Sequence, residues 1–153
     1  MKKLRFFFFI FSIISVAQRA APAVSANNLS FSPDSGVRAT LTLNDHEVHI
    51  ILRNGQSLTT ETIQVDTEKT LSLEIKDYNF DGRKDFSVSH VDDGMGTYTI
   101  YQIYVFSPQE RKFVPLQPKC GDEFINVVVL DKKRTLTNSY FSNNQIKTCI
   151  MKF

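Results

Sequence analysis

At 153 residues, with 42% hydrophobic and 22% charged side chains and a formal net charge of +2, the chain can build one domain with its own core and is too apolar for a disordered tail. The positive balance sits at the start: removing residues 1–26 takes away Lys2, Lys3, Arg5 and Arg19 and no acid, leaving 14 basic against 16 acidic side chains, a formal charge of −2. This excludes the basic footprint of a nucleic-acid binder, and the one basic cluster left, Lys132-Lys133-Arg134, reads as a solvated turn between strands.

In chain order, the first feature is an export signal. Lys2, Lys3 and Arg5 form a basic start, Phe6 to Val16 an apolar core, and small residues suited to cleavage come next, after Ala17 or after Ala26. The second site leaves the more usual signal length and is preferred. The apolar run falls short of the roughly 20 residues that span a bilayer, and no cysteine adjoins either site to carry a lipid. The expected destination is outside the cytoplasm, in a bacterial periplasm, with no membrane anchor after cleavage and 27–153 as a single β domain.

Beyond the signal, the chain alternates with the period of a strand. Val37, Ala39, Leu41 and Leu43 alternate with polar residues, Asn44-Asp45 offers a two-residue turn, and Val48, Ile50 and Leu52 alternate on the return. Ile63 and Val65 mark a third strand, and Leu71, Leu73 and Ile75 a fourth. That strand leads into Asp77-Tyr78-Asn79-Phe80-Asp81-Gly82-Arg83-Lys84-Asp85.

A hard cation such as Ca²⁺ takes six to eight oxygen ligands, which a short loop supplies when alternate residues point inward and a glycine allows the sharp turn. Asp77, Asn79, Asp81 and Asp85 fit positions one, three, five and nine of such a loop, with the main-chain carbonyl of Arg83 at position seven. The glutamate that closes an EF-hand is missing, since position twelve is Val88 in an apolar run. The stretch is an abbreviated calcium loop between strands, set against the alternative of a polar Asp/Asn-Gly turn that binds nothing. Arg83 and Lys84 oppose a cation, and the spacing does not tell calcium from another hard ion.

Phe86 and Val88 continue as strand. Asp92-Asp93-Gly94-Met95-Gly96 is then either a flexible hairpin tip or a binding loop. Residues 97–106 are apolar or aromatic on both faces, as in a central strand covered on two sides or one whose outer face binds something. Lys112 to Leu116 is a further strand, Phe124 to Leu130 a strand or an irregular run, and Thr135 to Phe141 pairs with Gln145 to Lys152 around Ser142-Asn143-Asn144. No stretch of useful length has helical period. The class is all-β and antiparallel, a sandwich or a partial propeller. Cys120 and Cys149 are the only cysteines, and an even count in an exported chain favours one disulfide over two buried thiols.

Catalytic candidates are few. His46 and His49, on a presumed strand, point to opposite faces. His90 beside Asp92 and Asp93 suits a base, or simply a polar strand end. Adjacent aspartates are a poor glycosidase pair, because such carboxylates flank a substrate at about 5 Å or more. Without a Gly-x-Ser-x-Gly elbow as well, the expectation is a protein that is not an enzyme.

The calcium-loop pattern, the glycine-containing loop, Tyr101-Gln102-Ile103-Tyr104-Val105-Phe106-Ser107-Pro108 with Phe113, and Val127 to Tyr140 with its lysine-rich turn together resemble the small exported FG-GAP-like proteins of bacteria, over about residues 70–142. Some of these are periplasmic immunity proteins that inhibit lysozyme-like effectors. Departures are the few glycines around the central strands and a first hairpin, 37–53, that matches no family motif. The resemblance implies a calcium-stabilised inhibitor whose partner is a peptidoglycan-cleaving enzyme. Tyr98 and Tyr140, with Asp92, Gly94 and Gly96, are the expected partner-binding residues, because tyrosine brings area and a hydroxyl at small entropic cost. The alternative is a calcium-binding structural or adhesion module of the cell envelope; a hydrolase built on His90 is the weakest reading.

Overall fold

The computed structural model describes residues 28–153; the export signal expected over 1–26 lies outside the described residues. Strand-forming alternation is realised as β1 (Asn28–Phe31), β2 (Val37–Asn44), β3 (Glu47–Asn54) and β4 (Ser57–Gln64) in one four-stranded antiparallel sheet. A second, seven-stranded antiparallel sheet holds β5 (Ser72–Lys76), β6 (Asp85–Val91), β7 (Thr99–Ser107), β8 (Lys112–Pro115), β9 (Phe124–Leu130), β10 (Thr135–Ser142) and β11 (Gln145–Lys152). Apart from a three-residue 3-10 turn at Asp131–Lys133, the described residues contain no helix. The sheets share a core, so the architecture is a sandwich.

Alternation decides which side chains enter that core. Val37, Ala39 and Leu41 from β2 and Val48, Ile50 and Leu52 from β3 are all buried, and the register sets Ala39 opposite Leu52 and Leu41 opposite Ile50. They meet Phe86 and Val88 of β6, Phe106 of β7 and Phe113 of β8. The aromatic centre is interlocked, with Phe113 edge-on to Phe86 at 4.8 Å and to Phe106 at 5.6 Å. Tyr104 stacks on Phe86 at 5.0 Å.

The long two-faced run is β7, and it is covered on both sides. Tyr104 and Phe106 face the four-stranded sheet, while Tyr101, Ile103 and Val105 face a second core with Tyr78, Phe124 and Leu136. Along one edge β7 pairs with β6; along the other it is shared by β9, opposite Ile100 and Tyr101, and β8, opposite Tyr104 to Ser107. The run at 124–130 is a strand with one irregularity. Asn126 adopts φ 49° and uses its own Oδ1 to accept the Thr99 amide at 3.0 Å.

Turns differ from expectation in detail. The β2–β3 turn is Asp45-His46, one residue later than Asn44-Asp45, because Asn44 pairs with Glu47 and Asp45 takes the positive φ of 40°. β4 begins at Ser57, well before Ile63, after a tight Gly55-Gln56 turn. Its polar sequence hid it, since β4 is an edge strand exposed almost throughout. At Asn143-Asn144 both residues have φ above 50°, the paired positive values that suit the twist of a two-residue hairpin.

Candidate functional site

The acidic loop joins β5 to β6 and is organised by its own oxygens. Asp77 accepts the amides of Asp81 (3.1 Å) and Gly82 (2.8 Å), Asn79 Oδ1 accepts Asp81 N at 3.2 Å, and Asp81 Oδ1 accepts Arg83 N at 2.8 Å. Gly82 takes φ 87°, a value that side-chain-bearing residues rarely adopt. Asp77 and Asn79 therefore meet at the Asp81 amide, while the Asp81 carboxylate accepts from Arg83 N and Asn79 Nδ2.

Asp85 differs from the other three. It is fully buried, one oxygen accepting Tyr78 N at 2.8 Å and the other Phe106 N at 2.9 Å. Burial pushes its carboxyl up to about 6 against the help of these two amides, and the charges of Asp81 and Asp77 push it further the same way. Each carboxylate oxygen retains a second acceptor direction. The loop's carboxylate and amide oxygens are of the type that a hard cation takes, and a bound cation would relieve the repulsion among its carboxylates. Among the described residues no three His, Cys, Asp or Glu side chains converge on a common point, and Asp81 is the exposed member of the four.

Arg83 is directed chiefly elsewhere. Its Nε donates to Asp34 Oδ2 at 3.0 Å, and its Nη1 lies 3.5 Å from Asp81 Oδ2. The Nε bond holds the Asp34 carboxyl below the usual range. Asp34, in a Ser-Pro-Asp-Ser-Gly turn, carries no sequence signal of this role, because nothing local points to a partner 49 residues away. On the far side Phe80, at φ 58°, packs on Phe153 with ring centroids 5.7 Å apart, and its carbonyl accepts Arg134 Nη2 at 2.7 Å. The basic turn at 132–134 is thus not wholly solvated: Arg134 braces the acidic loop.

A second feature is the loop from Asp92 to Tyr98. Asp92 accepts the amides of Tyr98 at 2.7 Å and Gly96 at 3.2 Å, and its own amide donates to Tyr98 O at 2.9 Å. The Tyr98 bond is the main cause of a lowered Asp92 pKa. The loop is therefore a pinned protrusion, and at its tip Met95 is 89% exposed. Met95 lies between Gly94 and Gly96, in the stretch that the sequence marks as either a flexible hairpin tip or a binding loop. Tyr98 packs edge-on against Phe141, 5.5 Å away.

Tyr140 is not brought together with Tyr98. As the neighbour of Phe141 on β10 it points to the opposite face, where its Cβ lies 2.9 Å from the place a Gly121 side chain would occupy. Gly121 adjoins Cys120, which is bonded to Cys149 on β11 with Cα atoms 5.9 Å apart. No helix among the described residues is long and apolar enough to cross a membrane. No protein-family model, curated protein or solved structure matches the chain.

Proposed function

We propose that the chain is an exported, calcium-stabilised immunity protein that inhibits a peptidoglycan-cleaving, lysozyme-like effector, acting through the Asp92–Tyr98 loop. The observation that carries this reading is the pinned protrusion with Met95 exposed at its tip. An inhibitor of a polysaccharide-cleaving enzyme must fill a concave cleft with little loss of freedom, and a loop already held by its own carboxylate meets that need. The disulfide, the export signal expected over 1–26 and the resemblance over about 70–142 support the same reading.

The role of calcium is structural in this proposal. Asp77, Asn79, Asp81 and Asp85, with the Arg83 carbonyl, would hold the ion, whose positive charge would neutralise a loop joined to β6 and, through Asp85, to β7. The test is capture of an effector from periplasmic extract on the processed protein, followed by a muramidase assay. Saturable inhibition without intrinsic hydrolysis is expected. Absence of binding and inhibition across a panel of lysozyme-like effectors, including any encoded beside this gene, would reject the reading.

The second reading, a calcium-binding structural or adhesion module of the cell envelope, is favoured by a different surface. Val128, Phe141, Ile146 and Ile150, each at least half exposed, share one face of β9, β10 and β11. A flat apolar face suits a broad partner better than a cleft, and retention in a cell-wall fraction would distinguish it.

A further inference from the structure

Where β8 and β9 part along the edge of β7, a notch of about 490 Å³ opens. Gln102 and Ile103 have no ladder partner there; the Ile103 carbonyl is met only by the Leu116 amide, at 2.8 Å. Four carboxylates line the notch, Asp66, Asp93, Asp122 and Glu123, and no lysine or arginine does. They come from three separate connections, after β4, after β6 and before β9. Asp93 is fixed in place, its Oδ1 accepting Thr67 Oγ1 at 2.7 Å and Glu68 N at 3.3 Å.

His90 provides an independent observation. It is 8% exposed and lines the same notch. Its Nδ1 lies 2.8 Å from the Val91 carbonyl, which can only accept, so Nδ1 carries the proton and Nε2 of the neutral ring is an acceptor. Nε2 has no protein partner among the described residues. The one fully enclosed side-chain N or O without a partner among them is Asn138 Oδ1, so His90 Nε2 reaches open space, and the notch is the space His90 lines. The buried ring is thus held through Nδ1, with Nε2 left to meet a ligand.

We propose that this notch binds an organic cation rich in N–H donors, a guanidinium or primary ammonium group. Acceptors from the carboxylates and His90 surround it, and the Tyr101 ring in the wall offers a surface on which a planar guanidinium stacks. Anions are repelled by the same set. The proposal is independent of the inhibitor reading.

The test is amide NMR of the processed, oxidised protein titrated with N-acetyl-arginine amide, N-acetyl-lysine amide, free arginine and the uncharged isostere N-acetyl-citrulline amide. Saturable shifts at Ile100 to Gln102 are expected for the blocked arginine or lysine, with a Kd on the order of 1 mM for so small a ligand. Citrulline should leave them unmoved. Tighter binding of free arginine than of the blocked form would assign a small-molecule ligand, and the reverse order a peptide side chain; either supports the shared chemistry. Asp122→Asn with Glu123→Gln, both on an exposed loop, should weaken binding by about tenfold or more. No saturable shift, equal response to citrulline, or unchanged affinity in the double variant overturns the proposal, whatever the muramidase assay gives.

Discussion

Single carboxylates in this chain have separable roles. Asp85 is buried and holds one amide from the acidic loop and one from the middle of β7. Asp85→Ala should therefore cost about 2–5 kcal/mol even in chelator, since it strands two buried donors. Asp81→Ala, at an exposed position, should leave chelated protein almost unchanged and remove only the gain that calcium provides. Urea unfolding of both variants with and without calcium separates these outcomes. Asp92 acts locally. Its folded pKa lies below the ordinary 3.8, so its hold on the loop is complete above that value and is lost as pH falls through the lower folded value. Amide exchange at Gly96 and Tyr98 should accelerate on that acid side while the β6 and β7 amides stay protected; uniform loss of protection would mean global unfolding instead.

Among elements, β11 and the loop before β9 depend most on one covalent bond. Cys120 and Cys149 are 29 residues apart and connect that loop to an outer strand of the larger sheet. Replacing both by serine should lower stability by about 3–4 kcal/mol, mostly by enlarging the unfolded ensemble. Thiol labelling under denaturing, non-reducing conditions should find no free sulfhydryl, and two labelled cysteines would contradict the bond. The interlocked rings at Phe86, Phe106 and Phe113 join β6, β7 and β8. Phe113→Ala should cost about 3–5 kcal/mol, because it leaves a cavity where the two sheets share their core, and denaturant unfolding reads that loss directly.

For the whole molecule, calcium should raise the melting temperature by mass action on the folded state, and calorimetry with and without chelator measures it. An unchanged melting temperature, with Asp81→Ala also neutral, would leave only a polar turn. If inhibition runs through the Asp92–Tyr98 loop, Tyr98→Ala should weaken it by about 2 kcal/mol or more. Tyr140→Ala should weaken it less, since Tyr140 points to the opposite face of β10. Composition and alternation by themselves determined the all-β class, the first hairpin, the two-faced β7 and the oxygen-rich loop at 77–85, because strand period, turn chemistry and the spacing of acidic side chains are local properties of a chain. A polar edge strand such as β4 carries no such signal, since it buries almost nothing. Only the tertiary structure decided that Arg83 turns to Asp34, that Arg134 braces Phe80, that Tyr98 and Tyr140 part company, and that His90 shares a notch with four carboxylates from three connections. These are meetings between residues distant in sequence, set by sheet order and register, and no local pattern of side chains encodes them.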